Sequence, residues 1–300
     1  SWPPENAGEN GFPADTRPTA SRFAMTVDVE DYFQVWAFSS VIDRASWDSY
    51  PRRVVESTRR ALDLLDTHKA QATFFVLGWI AEREPALIRE IAARGHEVAS
   101  HGYDHAKAYG QSRETFRDDV TRTKKILEDI AGTEVVGYRA PGFSIDARTP
   151  FAHATLADAG YRYSSSSHPI AHDHYGDPRG LRAAHRPLPA SDFVEAPVAT
   201  AELFGRRIAC GGGGWFRASP YALSRALMAR ARLEGPFVFY FHPWELDPRQ
   251  PRVADASLKA RARHYLGLAS METKLARLLA EHRWGRLDAA LGLGRLQQAA

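Results

Sequence analysis

Cysteine, long apolar runs and blocks of like charge are all scarce in this sequence of 300 residues. The one cysteine, Cys210, rules out an intramolecular disulfide, which fits a reducing compartment and is compatible with the periplasm. No apolar run reaches the length of a membrane span. The N-terminus shows no basic stretch followed by an apolar core, so no secretory leader is visible. These absences predict a cytoplasmic protein without a transmembrane segment, with a periplasmic location as the alternative. Lysine and arginine number 39 against 36 acids, and the arginines are scattered among the acids. A dedicated nucleic-acid surface is therefore not expected. There is no internal repeat. No glycine-rich dinucleotide fingerprint follows the first strand, which removes support for a Rossmann domain.

What is present is a core. At 44% hydrophobic residues, either one large α/β domain or two small domains fit. Residues 1–21 are rich in Pro, Gly, Asn, Asp and Thr and read as a flexible leader. From there strands and helices alternate. Strands are expected over 23–29, 72–77, 96–100, 135–138, from 161, over 193–198 and 237–241, with a further candidate at 207–210. Helices are expected over 52–68, 80–94, 115–130, 151–159 and 221–234, and the tail over 257–284 reads as helical. Strand-then-helix alternation implies a parallel sheet wound by crossover helices. Residues 168–189, dense in His, Pro, Gly and Asp, form a long irregular stretch.

The residues with chemistry recur at strand ends, where barrel-type α/β enzymes place their sites. Ser100 to His105 reads SHGYDH. On a helical turn, His101 and His105 at i and i+4 would lie on one face and could point at one metal ion, the alternative being a solvated turn. Asp28 and Glu30, two apart at the end of the first strand, share a face by period 2. Buried like charges repel unless a cation or a proton intervenes; the plain alternative is a solvated acidic turn. Arg139 opens RAPGF after a strand, where Pro141 and Gly142 set a tight turn and the guanidinium is a rigid donor suited to a carboxylate. His242 follows an aromatic strand in FYFHPWELD.

Taken together and in order, these motifs resemble the polysaccharide deacetylases with a NodB-homology domain, carbohydrate esterase family 4. The resemblance runs from about Phe23 to about Asp247. SHGYDH is similar to that family's HxxxH metal motif, RAPGF to its RxPxG motif, and FYFHPWE to the late motif ending in the catalytic histidine. TVDVEDYFQV, GGGGWFR and HPWELDP look like a bacterial subgroup that accompanies exopolysaccharide and exosortase (PEP-CTERM) gene clusters and carries a C-terminal extension. The resemblance implies a deformed (β/α) barrel over 22–247, with a helical extension over 248–300 packed on it. It implies a divalent metal, zinc with cobalt or nickel as alternatives, and hydrolysis of the N-acetyl group of N-acetylhexosamine units in a polysaccharide or oligosaccharide partner.

Carried over residue by residue, Asp28 would be the general base, His101 and His105 metal ligands, Arg139 the group holding Asp28, and His242 the general acid. Asp247 and Glu195 are possible partners of His242. The family's usual second aspartate falls at Val29, which cannot bind metal; Glu30 becomes the candidate ligand, with Asp31 as the alternative. Ser164 stands where related sequences tend to have an aspartate. Pro141, Gly142 and Phe143 would border the substrate, with the Gly142 N–H facing the oxyanion by analogy. Tyr32, Phe33, Trp215 and Trp244 could form sugar-stacking walls, core packing being the alternative for each. Two other functions compete: hydrolysis of a cyclic amide on the same scaffold, and glycan binding without catalysis.

Overall fold

The computed structural model describes residues 22–172, 176–231 and 236–293. The expected leader over 1–21 lies outside the described residues, as do the last residues of the extension and of the helix expected to end at 234. In chain order the strands are β1 (Phe23–Val29), β2 (Thr73–Val76), β3 (Glu97–Ser100), β4 (Gly137–Tyr138), β5 (Tyr163–Ser164), β6 (Val194–Glu195), β7 (Thr200–Leu203), β8 (Arg206–Ala209), β9 (Phe237–Phe241) and β10 (Trp284–Gly285). The helices are α1 (Val54–Thr67), α2 (Gly78–Arg83), α3 (Pro85–Ala93), α4 (Arg113–Ala131), α5 (Ala152–Asp158), α6 (Gly213–Ala218), α7 (Tyr221–Ala231), α8 (Leu258–Tyr265), α9 (Leu268–Glu281) and α10 (Leu287–Ala290).

β1 lies at the centre, paired in parallel with β9 on one edge and β2 on the other. The sheet continues through β3, β4 and β5 to β6, all parallel. It curls into a deformed barrel. The gap between β6 and β9 is bridged by single backbone bonds, Ala199 N–H to Val238 O (3.0 Å) and Tyr240 N–H to Gly211 O (2.8 Å). Strands covered on both faces read as continuous apolar runs, as FVFYF does in β9, where all five residues are buried. β7 and β8 form a separate antiparallel hairpin.

β7, α6 and α10 have no counterpart in the sequence expectation, and two expected elements take a different form. The helix expected over 80–94 is two helices, because Pro85 has no N–H to continue the first and instead occupies the first turn of the second. The tail is not helical throughout: β10 joins the barrel. β9 occupies one edge of β1 over Phe23–Val27, and β2 pairs with the other edge only from Thr26 onward. The backbone of Phe23 and Ala24 would lack partners there; Trp284 and Gly285 supply them.

The extension also closes the bottom of the barrel over a buried carboxyl group. Glu97 accepts from the hydroxyls of Thr73 and Tyr163 and from the Asp288 N–H, while Thr73 Oγ1 accepts from Leu287 N–H at 2.8 Å. Burial, reinforced by the nearby Asp288 carboxylate, pushes Glu97 from its ordinary 4.5 up to about 8. A folded-state value above the unfolded one means that the folded protein holds this proton more tightly. The resulting stabilisation is complete below pH 4.5 and is lost as pH rises through about 8. Unfolding in urea across this window should show a decline of up to about 1.4 kcal/mol per pH unit, one proton's worth. Glu97→Gln should flatten it, and an unchanged slope in that variant would assign the titration elsewhere.

Candidate active site

The C-terminal ends of β1, β3, β4 and β9 meet at one mouth of the barrel. Asp28, near the end of β1, is buried, and its Oδ1 accepts from Arg139 Nη1 at 2.7 Å. Arg139 follows β4 and is wholly buried. Nη1 also reaches Thr26 Oγ1 (2.7 Å), Nε donates to Ser165 O (2.9 Å) and Nη2 to Ser165 Oγ (2.8 Å). The Phe75 ring lies 4.2 Å from the guanidinium carbon. A planar donor engaged on three sides has one orientation, so Asp28 is held by a rigid partner.

Glu30, His101 and His105 bring one donor atom each within 4.8 Å of one another. The two histidines do not sit on a helical turn, as the i, i+4 spacing suggested. The segment is a loop, bent by left-handed backbone at Gly102 (φ 73°) and His105 (φ 62°), and the bend makes the rings converge with centroids 5.4 Å apart. His101 Nδ1 lies 2.8 Å from Arg139 O. A carbonyl can only accept, so the proton is on Nδ1 and Nε2 keeps its lone pair for the site. Burial pulls His101 down to about 4, which keeps it neutral.

Burial works to raise Glu30, but the imidazoles of His105, His242 and His101 outweigh it and hold the carboxyl at about 2. Its Oε2 is buried without a hydrogen-bond partner although His105 Nε2 is 2.8 Å away. Two ligand atoms facing each other without a hydrogen bond, joined by a second imidazole, form an N,N,O donor set that fits a divalent ion of zinc type. Asp31, the alternative ligand, turns elsewhere: its carboxylate accepts from the N–H groups of Arg53 (2.7 Å) and Val54 (2.9 Å) and caps α1.

His242 faces this cluster from β9. Its Nε2 is 3.4 Å from Glu30 Oε1 and 4.0 Å from Asp28 Oδ2. Its Nδ1 is 2.9 Å from Glu245 Oε1, and the same oxygen accepts from His242 N–H at 3.0 Å. Glu245 Oε2 accepts from Arg217 Nε at 2.8 Å. The orienting partner is thus Glu245, three residues on. Neither residue named from the sequence fills that place, since Asp247 pairs with Arg53 and Glu195 with His153. The glycine run before Arg217 makes room for this carboxylate: a Cβ on Gly213 would lie 2.5 Å from Glu245 Oε1.

Comparison with known proteins gives this site a context. Residues 45–164 match the family model for polysaccharide deacetylase, and residues 165–292 match a domain of unknown function, DUF3473. A peptidoglycan-N-acetylglucosamine deacetylase of Bacillus cereus is 34% identical over 105 residues, which is 35% of this chain and 47% of that protein. A chitooligosaccharide deacetylase of Sinorhizobium fredii is 36% identical over 103 residues, 33% of this chain and 48% of that protein.

Residues 45–164 are similar to the polysaccharide deacetylase family. The chain spans about half the length of the curated relatives it matches. Among solved structures, a candidate polysaccharide deacetylase from Mycobacterium smegmatis superposes with a TM-score of 0.57 at 23% identity, covering 90% of this chain and 88% of that one. The Bc1960 peptidoglycan N-acetylglucosamine deacetylase gives 0.52 at 17% identity, covering 92% and 91%. Both show the same (β/α) barrel. The boundary between the two family matches falls inside that barrel, since β6, β9 and β10 belong to the same sheet as β2, β3, β4 and β5 of the deacetylase match.

At the mouth of the barrel Asp28, Glu30, His101, His105, Gly142, Phe143, Trp215, His242 and Trp244 line one cavity of about 750 Å³. Gly142 is left-handed (φ 61°), and a Cβ there would press on Lys107 Cε at 3.1 Å. Tyr32 and Phe33 are corrections: both are core residues, 1% exposed, packed edge to face at 5.3 Å, and neither lines the cavity. The chain turns at the end of β1 to cap α1 with Asp31, and that turn sends the two rings inward. Pro141 is also buried away from the cavity. Trp244 touches the cavity but mainly supports His242, stacking on it at 5.1 Å and 19° and on His264 of α8 at 4.1 Å and 17°. Beside Ser164 a carboxylate is present from the neighbouring strand: Glu195 accepts from the N–H groups of Ser166 (2.8 Å) and Ser167 (2.9 Å).

Sequence reading missed Glu245, Arg217 and His264. Glu245 could have been found from the His-x-x-Glu spacing at the head of a turn, where the acid reaches back to the first N–H. Arg217 and His264 have no local signature, since each acts on a residue far away in the chain.

Proposed function

We propose that the chain is a metal-dependent deacetylase that hydrolyses the N-acetyl group of N-acetylhexosamine units in a bacterial exopolysaccharide or its precursor. The observation that supports this most is the convergence of Glu30, His101 and His105 on one point flanked by Asp28 and His242, in a single cavity. An ion held by the three ligands, zinc by the donor set with cobalt or nickel as alternatives, would supply Lewis acidity to the amide carbonyl. Asp28, with one oxygen on Arg139, has its other oxygen placed to take a proton from the attacking water. His242, oriented by Glu245, stands where it can hand a proton to the departing amine nitrogen. Gly142, on the cavity wall, is the backbone donor we assign to the developing oxyanion. The exopolysaccharide substrate rests on the resemblance of TVDVEDYFQV, GGGGWFR and HPWELDP to the exosortase-associated subgroup. The named relatives act on peptidoglycan and chitooligosaccharides.

Acetate release from N-acetylated oligosaccharides, with and without a chelator, tests this reading. Chelation should lower the rate by at least ~10²-fold, the range for loss of a principal electrostatic group, and added zinc should restore it. Glu30→Ala, His101→Ala and His105→Ala should each purify folded but depleted of metal. Full activity in metal-free protein would overturn the metal role. Turnover of small cyclic amides alone would overturn the substrate.

A further inference from the structure

The loop that carries both candidate histidine ligands is held by groups that take no part in the chemistry of the site. Its middle is Gly102, Tyr103 and Asp104, between His101 and His105. On one side the first two N–H groups of α2 donate to it, Gly78 N–H to Gly102 O at 3.0 Å and Trp79 N–H to Tyr103 O at 2.9 Å. On the other side stands Asp119 of α4. Its Oδ1 accepts from Tyr103 N–H at 3.0 Å, and its Oδ2 lies against Gly102, where a Cβ would come within 3.1 Å of it. The peptide group between Gly102 and Tyr103 therefore has its carbonyl on α2 and its N–H on α4.

The Tyr103 side chain is held as well. Its hydroxyl donates to Glu82 Oε2 at 2.6 Å, and the Arg122 guanidinium carbon lies 3.7 Å from the ring centroid. Gly78 leaves room for the ring, since a Cβ there would fall 2.6 Å from Tyr103 Cδ2. Asp104 pairs with Arg44 at 2.7 Å. Asp119 reaches the loop because of its place on α4. Phe116, Val120, Thr123 and Leu127 form the buried stripe of that helix, and Asp119, three past Phe116 and four before Thr123, borders it.

The bend needs such support. His105 has φ 62°, a left-handed region that a residue with a side chain keeps only where its surroundings over-determine it. A loop free to leave that conformation would have to be ordered at each binding event, whereas one already fixed has its ligands in place beforehand. Asp119 is outside the cluster of donor atoms, which is Glu30, His101 and His105.

We propose that Asp119 is a positioning residue of the metal centre: by holding the Tyr103 N–H it fixes the bend on which His101 and His105 converge, and so sets metal affinity without being a ligand. This rests on the metal-dependent reading of the site and adds to it the residue that shapes the ligand loop. The test measures zinc affinity by competition with a chromogenic chelator and records the visible spectrum of the cobalt-loaded protein. Wild type, Asp119→Ala and Asp119→Asn are compared, and the metal-free proteins are melted alongside. Asp119→Ala should bind zinc about tenfold to a hundredfold more weakly, the range for loss of a group that orients a ligand. Its cobalt bands should shift as the ligand geometry relaxes. Asp119→Asn keeps an oxygen that can accept from the Tyr103 N–H, and should return affinity and spectrum to near the wild-type values.

Wild-type affinity and spectrum in Asp119→Ala would overturn the proposal, and a lowered melting point beside them would leave Asp119 a role in folding alone. An equal loss in Asp119→Asn would also overturn it, because the effect would then follow the charge and not the hydrogen bond. Asp119→Ser, whose hydroxyl is one bond shorter in reach, replaces the alanine variant if that one does not fold. Should the wild type bind neither zinc nor cobalt, the metal role in the deacetylase reading falls and this proposal with it. Should wild type and Asp119→Ala bind equally well, the metal reading stands and only the role of Asp119 falls.

Discussion

Asp28→Asn is expected to reduce kcat for acetate release by about 10²–10⁴-fold, or roughly 3–5.5 kcal/mol, while leaving metal content unchanged. The reason lies in how the carboxylate is divided. Oδ1 is fixed by Arg139 at 2.7 Å, and three further N–H groups of that guanidinium are engaged by Thr26 and Ser165. Oδ2 is left facing the cavity, 4.0 Å from His242 Nε2. An asparagine can still accept from Arg139 through its carbonyl, so the wholly buried guanidinium keeps a polar partner and the fold is retained. The amide that replaces Oδ2 has no basic lone pair and cannot take a proton from water. Metal should remain because the cluster of donor atoms is Glu30, His101 and His105, without Asp28. Metal analysis and initial rates on the same preparation decide the matter. Loss of metal, with the rate recovered in metal-replete buffer, would make Asp28 a ligand instead of a base.

His242→Ala should cost a comparable factor, about 10²–10⁴, but in a way that depends on the leaving group. An amine leaves poorly without a proton, whereas an aryl oxide leaves unaided. Hydrolysis of an aryl acetate should therefore be much less impaired than that of an N-acetyl sugar. Equal losses on both would make His242 a positioning residue. The pH profile supplies a second readout. Burial pulls His242 down, but the carboxylates of Glu30, Glu245 and Asp28 overcome it and raise the imidazole to about 9. A raised value keeps the donor protonated through neutrality, and the rate should fall as pH rises past it. A cation on Glu30 offsets the largest of these upward pushes. The basic limb of kcat/KM in the metal-loaded enzyme should thus lie below 9, and NMR titration should place the His242 value higher in metal-free protein than in loaded protein.

Much of this site is legible in the sequence because its parts are local. FAMTVDV alternates the apolar Phe23, Met25, Val27 and Val29 with Ala24, Thr26 and Asp28, a strand pattern, and β1 spans those seven residues. Period 2 puts Asp28 and Glu30 on one face, and both approach His242. Arg139 meets Asp28 because each sits at the C-terminal end of a parallel strand, where side chains of successive strands gather.

What the sequence could not decide lies in contacts between distant segments. The spacing of His101 and His105 was read as a helical turn, but the loop that joins them bends through two left-handed residues, and backbone conformation of that kind is selected by the surrounding packing. Tyr32 and Phe33 looked equally suited to stack on a sugar or on a core. Burial decided, and it depends on the direction the chain takes after Glu30 to bring Asp31 onto α1. The strand character of Trp284 and Gly285 followed from the unpaired edge left on β1, 261 positions back from Trp284 to Phe23. The orientation of His242 through Glu245, Arg217 and α8 likewise joins segments whose proximity no local pattern encodes. Periodicity and residue chemistry were enough for most of the strands and helices and for the reactive side chains at their ends. Which of those side chains point into the cavity, and what holds them there, was settled by tertiary packing, because burial and hydrogen-bond partners are properties of the folded chain as a whole.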